Sequence, residues 1–255
     1  MTREDVLERY QMLQDYHTHT VYSCGFGYKH GKGLIIENAE AAHRKGIREI
    51  AITDHGPGHK FYGLDMKRLP DMRTEIRKAM ETFPDVKIDL GVEANFIDTP
   101  YGLDVRPDQF DEFDFVIAGY HYGLPRGHML ENQICSHGGL PSGSRERLRA
   151  ANTDMVVRAL NENNIRIITH PGDKGPFDIP VISRTCEETG TLMEINTRHK
   201  HLTVDEIRIA EKYDVSFVIS SDAHRPEEVG NYPDGVLRAL EAGLDIERIV
   251  NIKER

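Results

Sequence analysis

The chain has 255 residues, enough to bury a substantial core in one large α/β domain or two small ones. Its 29% charged and 38% hydrophobic residues are ordinary for a globular protein in water, and no apolar run is long enough to cross a bilayer. A formal net charge of −10 argues against a generic nucleic-acid surface, and it obliges any anionic substrate to meet a local reversal of sign.

From the N-terminus, "MTREDVLERYQML" reads as an amphipathic helix rather than a signal peptide, because it lacks an apolar central stretch. Short β-branched runs then alternate with helical patterns. The expected strands are "QDYH" (14–17), "REIAIT" (48–53), "VKIDLGVE" (86–93), "DFVIAG" (114–119), "IRIITH" (165–170), "TLMEIN" (191–196) and "VSFVIS" (215–220), with "ERIVNI" (247–252) as a further short candidate. Helices are expected over about 34–46, 66–82, 144–163, 179–190, 203–214 and 234–242. Thr203 with Glu206 has capping-box spacing, and Gly46, Gly190 and Gly243 stand where left-handed caps are wanted. Repeated βα units imply a parallel sheet with helices outside it, and seven or eight strands without a linker imply a closed or distorted barrel in a single domain, 1–255. Two segments break the rhythm: 97–113, and the long connection 122–144, which has the length of a lid or binding loop. Cys24, Cys135 and Cys186 are scattered and odd in number, which suits a reducing cytoplasm and not a disulfide framework.

Residues of metal-binding type recur at the strand ends: His17 and His19, His55, Glu93, His121, His170, then Asp222 and His224. In a βα barrel these ends share one rim, where active sites are built. Strand alternation puts His17 and His19 on the same face, able to chelate one ion. Imidazole with carboxylate and no clustered thiolate suits zinc, manganese or iron in an open catalytic site. Each residue also has an ordinary reading, a hydrogen-bonded strand-end histidine or a helix-capping aspartate; the weight lies in their coincidence.

The ordered motifs "HTHT", "TDH", "GVE", "GYH", "THPG" and "SDAH" resemble the PHP family, named for polymerase and histidinol phosphatase domains. The resemblance covers nearly the whole chain and implies a distorted (β/α)7 barrel with three divalent ions at the C-terminal strand ends. It implies His17, His19, Glu93 and Asp222 on one ion, and a bridging Glu93 with His121 and His170 on a second. His55 and His224 would hold the third with one more ligand from the loop after the first strand. Relatives often carry a histidine soon after the position of Ser23, where this chain has Cys24 and Gly25. His30, in "HGKG", is the favoured replacement and the Cys24 thiolate the other candidate.

Such a centre is strongly cationic inside an acidic protein, which answers the sign problem and makes a small phosphate ester the natural substrate. The implied activity is phosphate monoester hydrolysis of the histidinol phosphatase type. Glu93, Asp222 and His224 are the catalytic candidates, His224 as a possible acid for the leaving group. Lys32, Lys174, Arg198 and Arg225 are candidate phosphate clamps, each also readable as a solvated surface charge. Phosphodiesterase or exonuclease action within the family, and a non-catalytic metal-binding regulatory module, are the alternatives. A metal amidohydrolase fits less well, because the bridging carboxylate is on strand three. His59 and His199 can line the pocket rim, although a solvated loop role is favoured for both. His128 and His137 sit in the long connection, placed to contact substrate if it closes, His201 is a further histidine of "NTRHKH", and His43 lies within a helix.

Overall fold

The computed structural model describes residues 1–25 and 28–255, with Tyr28 as backbone only. Seven parallel strands follow one another around the sheet in chain order: β1 Gln14–Thr18, β2 Glu49–Ile52, β3 Lys87–Asn95, β4 Phe115–Gly119, β5 Ile165–Ile168, β6 Leu192–Asn196 and β7 Phe217–Ser220. Helices pack outside: α1 Arg3–Arg9, α2 Ile35–Lys45, α3 Leu69–Thr82, α4 Met129–Ser136, α5 Ser142–Glu162, α6 Ile179–Thr189, α7 Val204–Ala210 and α8 Pro233–Ala242. The result is a nearly closed, distorted (β/α)7 barrel.

Local chemistry sets several boundaries. Thr203 Oγ1 accepts the Glu206 amide at 3.3 Å, and the Glu206 carboxylate accepts the Thr203 amide at 2.7 Å, so the expected capping box opens α7. Gly46, Gly190 and Gly243 end α2, α6 and α8 with φ of 70°, 71° and 86°, a conformation that costs glycine little.

Two apolar layers hold the barrel. The larger lies between strands and helices, with Ile50, Leu90, Phe96 and Phe217 among its fully buried members. A smaller cluster of Tyr16, Ala51, Ile117, Ile167 and Val218, drawn from five strands, plugs the barrel interior. The β1–β2 register slips between Asp15 and Thr18. This irregularity lets neighbouring Tyr16 and His17 both serve the interior, the first in the plug and the second above it.

Closure between β1 and β7 depends on side chains. One bridge joins Thr18 to Ala223, where the His19 amide donates to the Ala223 carbonyl at 2.7 Å. Below it the buried Asp15 carboxylate accepts the Ser221 amide (3.1 Å), the Ser221 hydroxyl (2.5 Å) and the Gly230 amide (2.8 Å). The Asn251 amide group spans the same seam, donating to the carbonyls of Gln14 (2.7 Å) and Ile219 (2.6 Å) and accepting the Ile219 amide (3.1 Å).

Four expectations need correction. "ERIVNI" is not a barrel strand: Ile246–Arg248 is a short 3₁₀ turn, Ile249 makes a single parallel bridge to Phe217, and the strand that follows, Ile252–Glu254, pairs antiparallel with Tyr10–Met12. That pairing also stops the N-terminal helix at Arg9. The connection 122–144 is not wholly loop, since it contains α4; its Gly- and Pro-rich flanks and a start without a side-chain cap hide an eight-residue helix. The helix expected over 203–214 ends at Ala210.

Candidate metal centre

Glu93, near the end of β3, occupies the middle of the rim and is fully buried. Its Oε2 lies 3.3 Å from His17 Nε2, 3.6 Å from His19 Nε2 and 3.0 Å from His55 Nδ1. Its Oε1 lies 3.0 Å from His170 Nε2 and 3.5 Å from His121 Nε2. Asp222 faces it across the barrel, with Oδ1 3.2 Å from His19 Nε2 and 3.6 Å from His17 Nε2. His170 and Asp222 both adopt left-handed backbone, at φ 30° and 51°; strain of this kind in non-glycine residues concentrates at functional sites. Gly119 makes room for the cluster: a Cβ there would stand 2.2 Å from Thr169 Oγ1 and 3.0 Å from Glu93 Oε1.

Several histidines are oriented from behind. His17 Nδ1–H donates to Glu194 (2.8 Å), His121 Nδ1–H to the Asn95 amide oxygen (2.7 Å) and His224 Nδ1–H to the Asp222 carbonyl (2.9 Å). Each bond fixes a tautomer and turns the Nε2 lone pair toward the centre, the usual arrangement of metal-bound histidine. Glu194 also accepts the His170 amide at 2.8 Å, and Thr169 Oγ1–H donates to Glu93 at 2.7 Å.

Electrostatics place most of these groups in the ionisation state that metal binding requires. Burial alone would raise the Glu93 carboxyl, but His121 and His17 outweigh it and hold it well below the usual range. Asp222 is likewise held down against burial, by His17, His19 and His199. Burial lowers His19 and His121 well below the ordinary imidazole value, His224 to about 4 and His30 to about 3. His17 is the exception: Glu93, Asp222 and Glu194 outweigh its burial and push it well above the normal value. A proton there and a metal ion are alternatives.

The donor set fits metal ions. Among the described residues, His55 Nδ1 and Nε2, His224 Nε2 and Glu93 Oε2 are buried without a hydrogen-bond partner. Orphaned buried donors and acceptors are rare and costly unless something fills the space between them. Groups whose ligand atoms all lie within 4.8 Å of one another are His17–His19–Asp222, His19–His55–His224, His55–Glu93–His121 and His170–His199–Asp222.

All the expected ligands are brought to this cluster. Of the two rivals in the first loop, His30 is the one that reaches it, its ring centroid 4.3 Å from His224 and 5.2 Å from His55. Cys24 is exposed and lines a separate groove with Tyr22, Asp65, Arg68 and Glu75. Among the cationic candidates, Arg198 is nearest in effect, contributing to the depression of both His30 and His224; its guanidinium is paired with Glu228 at 3.1 Å. Lys174 pairs with Asp173 at 2.5 Å. Lys32 and Arg225 have exposed side chains, although the Lys32 amide donates to the His224 carbonyl.

Two residues carry more of the site than the sequence reading assigns them. His199, for which a solvated loop role is favoured over a place on the pocket rim, lies 3.3 Å from Asp222 and 3.1 Å from Asp173, and these carboxylates outweigh burial and raise it to about 9. Glu194, the orienting carboxylate, was read only as part of "TLMEIN". Its signal was available, an acidic residue in the middle of an otherwise apolar buried strand.

Fold and site together define a parallel barrel with a histidine–carboxylate metal centre at the C-terminal rim. The PHP domain profile matches residues 15–200 and the PHP-associated profile residues 205–243, and the chain belongs to the PHP family. A probable phosphatase of Acetivibrio thermocellus is 32% identical, the match covering 94% of this chain and 91% of that protein. One from Thermoanaerobacter sp. is 30% identical with the same coverage. The histidinol phosphate phosphatase of Lactococcus lactis, solved with zinc, L-histidinol and phosphate, superposes with a TM-score of 0.62 at 18% identity, covering 92% of this chain and 95% of that one. At that identity the likeness speaks for the fold.

Proposed function

We propose that this protein is a metal-dependent phosphoric ester hydrolase that removes phosphate from small monoesters, in the manner of a histidinol phosphatase. The observation that carries the reading is the buried histidine–carboxylate cluster, whose unpartnered nitrogens and oxygen converge on one rim. Its relatives at about one-third identity, named probable phosphatases, support the same class of reaction.

His17, His19, Asp222 and Glu93 would hold one divalent ion, Glu93 with His121 and His170 a second, and His55, His224 and His30 a third. Zinc suits the donors best, with manganese or iron as alternatives. When bound, such ions neutralise phosphoryl charge and lower the pKa of water toward ~7, so that a nucleophile is available at neutral pH. The protein's own part is to hold Glu93 and Asp222 ionised and to aim the imidazoles from behind. Arg198 is linked to the site through Glu228, which pairs with its guanidinium at 3.1 Å and accepts the His224 amide at 2.9 Å, and it is the candidate fork for a phosphate oxygen.

Metal quantification with a screen of phosphate esters tests the reading. We expect three equivalents per chain under metal-replete conditions and turnover of small monoesters. Less than one equivalent overturns the site, and hydrolysis confined to dinucleotides overturns the monoester assignment.

A further inference from the structure

The centre is flanked by an aromatic stack that the proposed chemistry leaves unused. The Tyr62 ring lies face to face with two imidazoles, His59 at 3.5 Å and 20° on one contact and His30 at 4.2 Å and 13° on the other. It also meets His55, tilted, at 4.7 Å. His59 is itself fixed at both ring nitrogens. Its Nε2–H donates to the Tyr122 carbonyl at 2.6 Å, and its Nδ1 accepts the amides of Phe61 and Tyr62, each at 3.3 Å. That bonding makes His59 a structural histidine, buried and neutral, rather than a ligand. Gly123 allows the approach: its φ is 92°, and a Cβ there would stand 2.9 Å from His59 Nε2. A continuous line of contacts therefore runs from the end of β4 through His59 and Tyr62 to His30.

His30 is the ligand candidate with the longest tether. It follows the small antiparallel pair Cys24–Gly25 with Tyr28–Lys29, whereas His17 is delivered by a barrel strand and backed by a carboxylate. The His30 backbone is tied by its own amide to the Ser23 carbonyl at 3.1 Å and by the Lys32 amide to the His224 carbonyl at 2.9 Å. The freedom left to remove is that of the imidazole, and a site gains affinity when that freedom is removed before the ion arrives. Stacking suits the task. A phenol ring covering the imidazole face fixes the ring plane, while both nitrogens stay in that plane, directed past the tyrosine. The His30 ring stands at 89° to that of His224, so the two present different edges to the space between them.

We propose that Tyr62, seated on His59, is a positioning residue that holds the His30 imidazole in its ligating orientation for the third ion. The proposal rests on the trinuclear reading above. Zinc bound per chain is measured at buffered free-zinc concentrations for the wild type, H30A, Y62A and Y62F, with thermal unfolding of each chelated form. The expected result is three equivalents for the wild type and two for H30A. Y62A retains the third equivalent only at roughly 10- to 100-fold higher free zinc, the usual cost of losing a group that orients a ligand. Y62F, which keeps the ring, titrates like the wild type. Wild type with two equivalents overturns the trinuclear reading and the proposal with it. Wild type with three and Y62A with an unshifted third equivalent overturns the proposal alone, including when Y62A merely unfolds at lower temperature. A Y62F titration that matches Y62A assigns the effect to the hydroxyl and overturns the stacking role.

Discussion

The two sides of the centre are built differently. On one side His17, Glu93 and His170 come from strands or their immediate ends, and hydrogen bonds to Glu194 and from Thr169 tie them into the barrel. On the other side His30 lies outside the barrel strands, its amide bonded to the Ser23 carbonyl, and its ring meets Tyr62 face to face and His224 edge-on. Strand geometry places a ligand by backbone alone; a loop must find its precision in packing. The first kind of site is visible as spacing in the sequence, and the second depends on residues that no local motif connects.

The contrast is broken most directly by deleting ligands on either side. H17A or D222N is expected to reduce turnover by roughly a thousand-fold or more, with the chelated proteins still folded. H30A is expected to cost about 10- to 100-fold, since Glu93, Asp222 and their partners remain. Steady-state kinetics decides it, and equal losses would mean that the two sides do not differ in importance.

Next comes the orienting carboxylate. E194Q keeps the size of the side chain but weakens its bonds to His17 and His170, and roughly a ten-fold loss of zinc affinity is expected. The loss should fall on the first two equivalents and spare the third; a zinc titration that weakens all three alike would contradict it. G119A sharpens the comparison through packing. A methyl 2.2 Å from Thr169 Oγ1 has to displace the Thr169–Glu93 pair, at a cost of about 1–3 kcal/mol in denaturant unfolding. A stability unchanged from the wild type would show that β4 can shift without cost.

The smallest effect concerns the loop bearing His199, anchored by Glu206. Burial would raise the Glu206 carboxyl, but the bond from His201 and the Thr203 amide outweigh it and lower its pKa. A depressed acid stabilises the fold above its unfolded value and loses that contribution as pH falls through the folded one. The stability of the chelated protein should therefore lose this contribution as pH falls below about 4.5. E206Q should flatten that limb, and an identical acid limb in both proteins would remove Glu206 as its cause.

The seven barrel strands and the histidines and carboxylates that gather at their ends were legible because both follow short-range rules, apolar runs for the one and motif order for the other. His199 was not, because its role comes from Asp222 and Asp173 across two loops. Tyr62 and His59 were hidden for a similar reason: "HGPGHKFYG" carries no periodicity, and the partner of its tyrosine lies more than thirty residues upstream. α4 was lost among glycines and prolines. "ERIVNI" misled because Asn251 leaves the ladder pattern to bond across the seam with its side chain.

That seam has a consequence for biosynthesis. His17 and His19 stand on one side of it, Asp222 and His224 on the other, and Asn251 spans it. A nascent chain that stops before β7 carries His17 and His19 with no Asp222 opposite them, and an edge of β1 with no β7 beside it. Unpaired strand edges invite pairing with other chains. On the proposed reading, the ligand set of the first ion is therefore completed only after all seven barrel strands have been made, by the segment that follows β7.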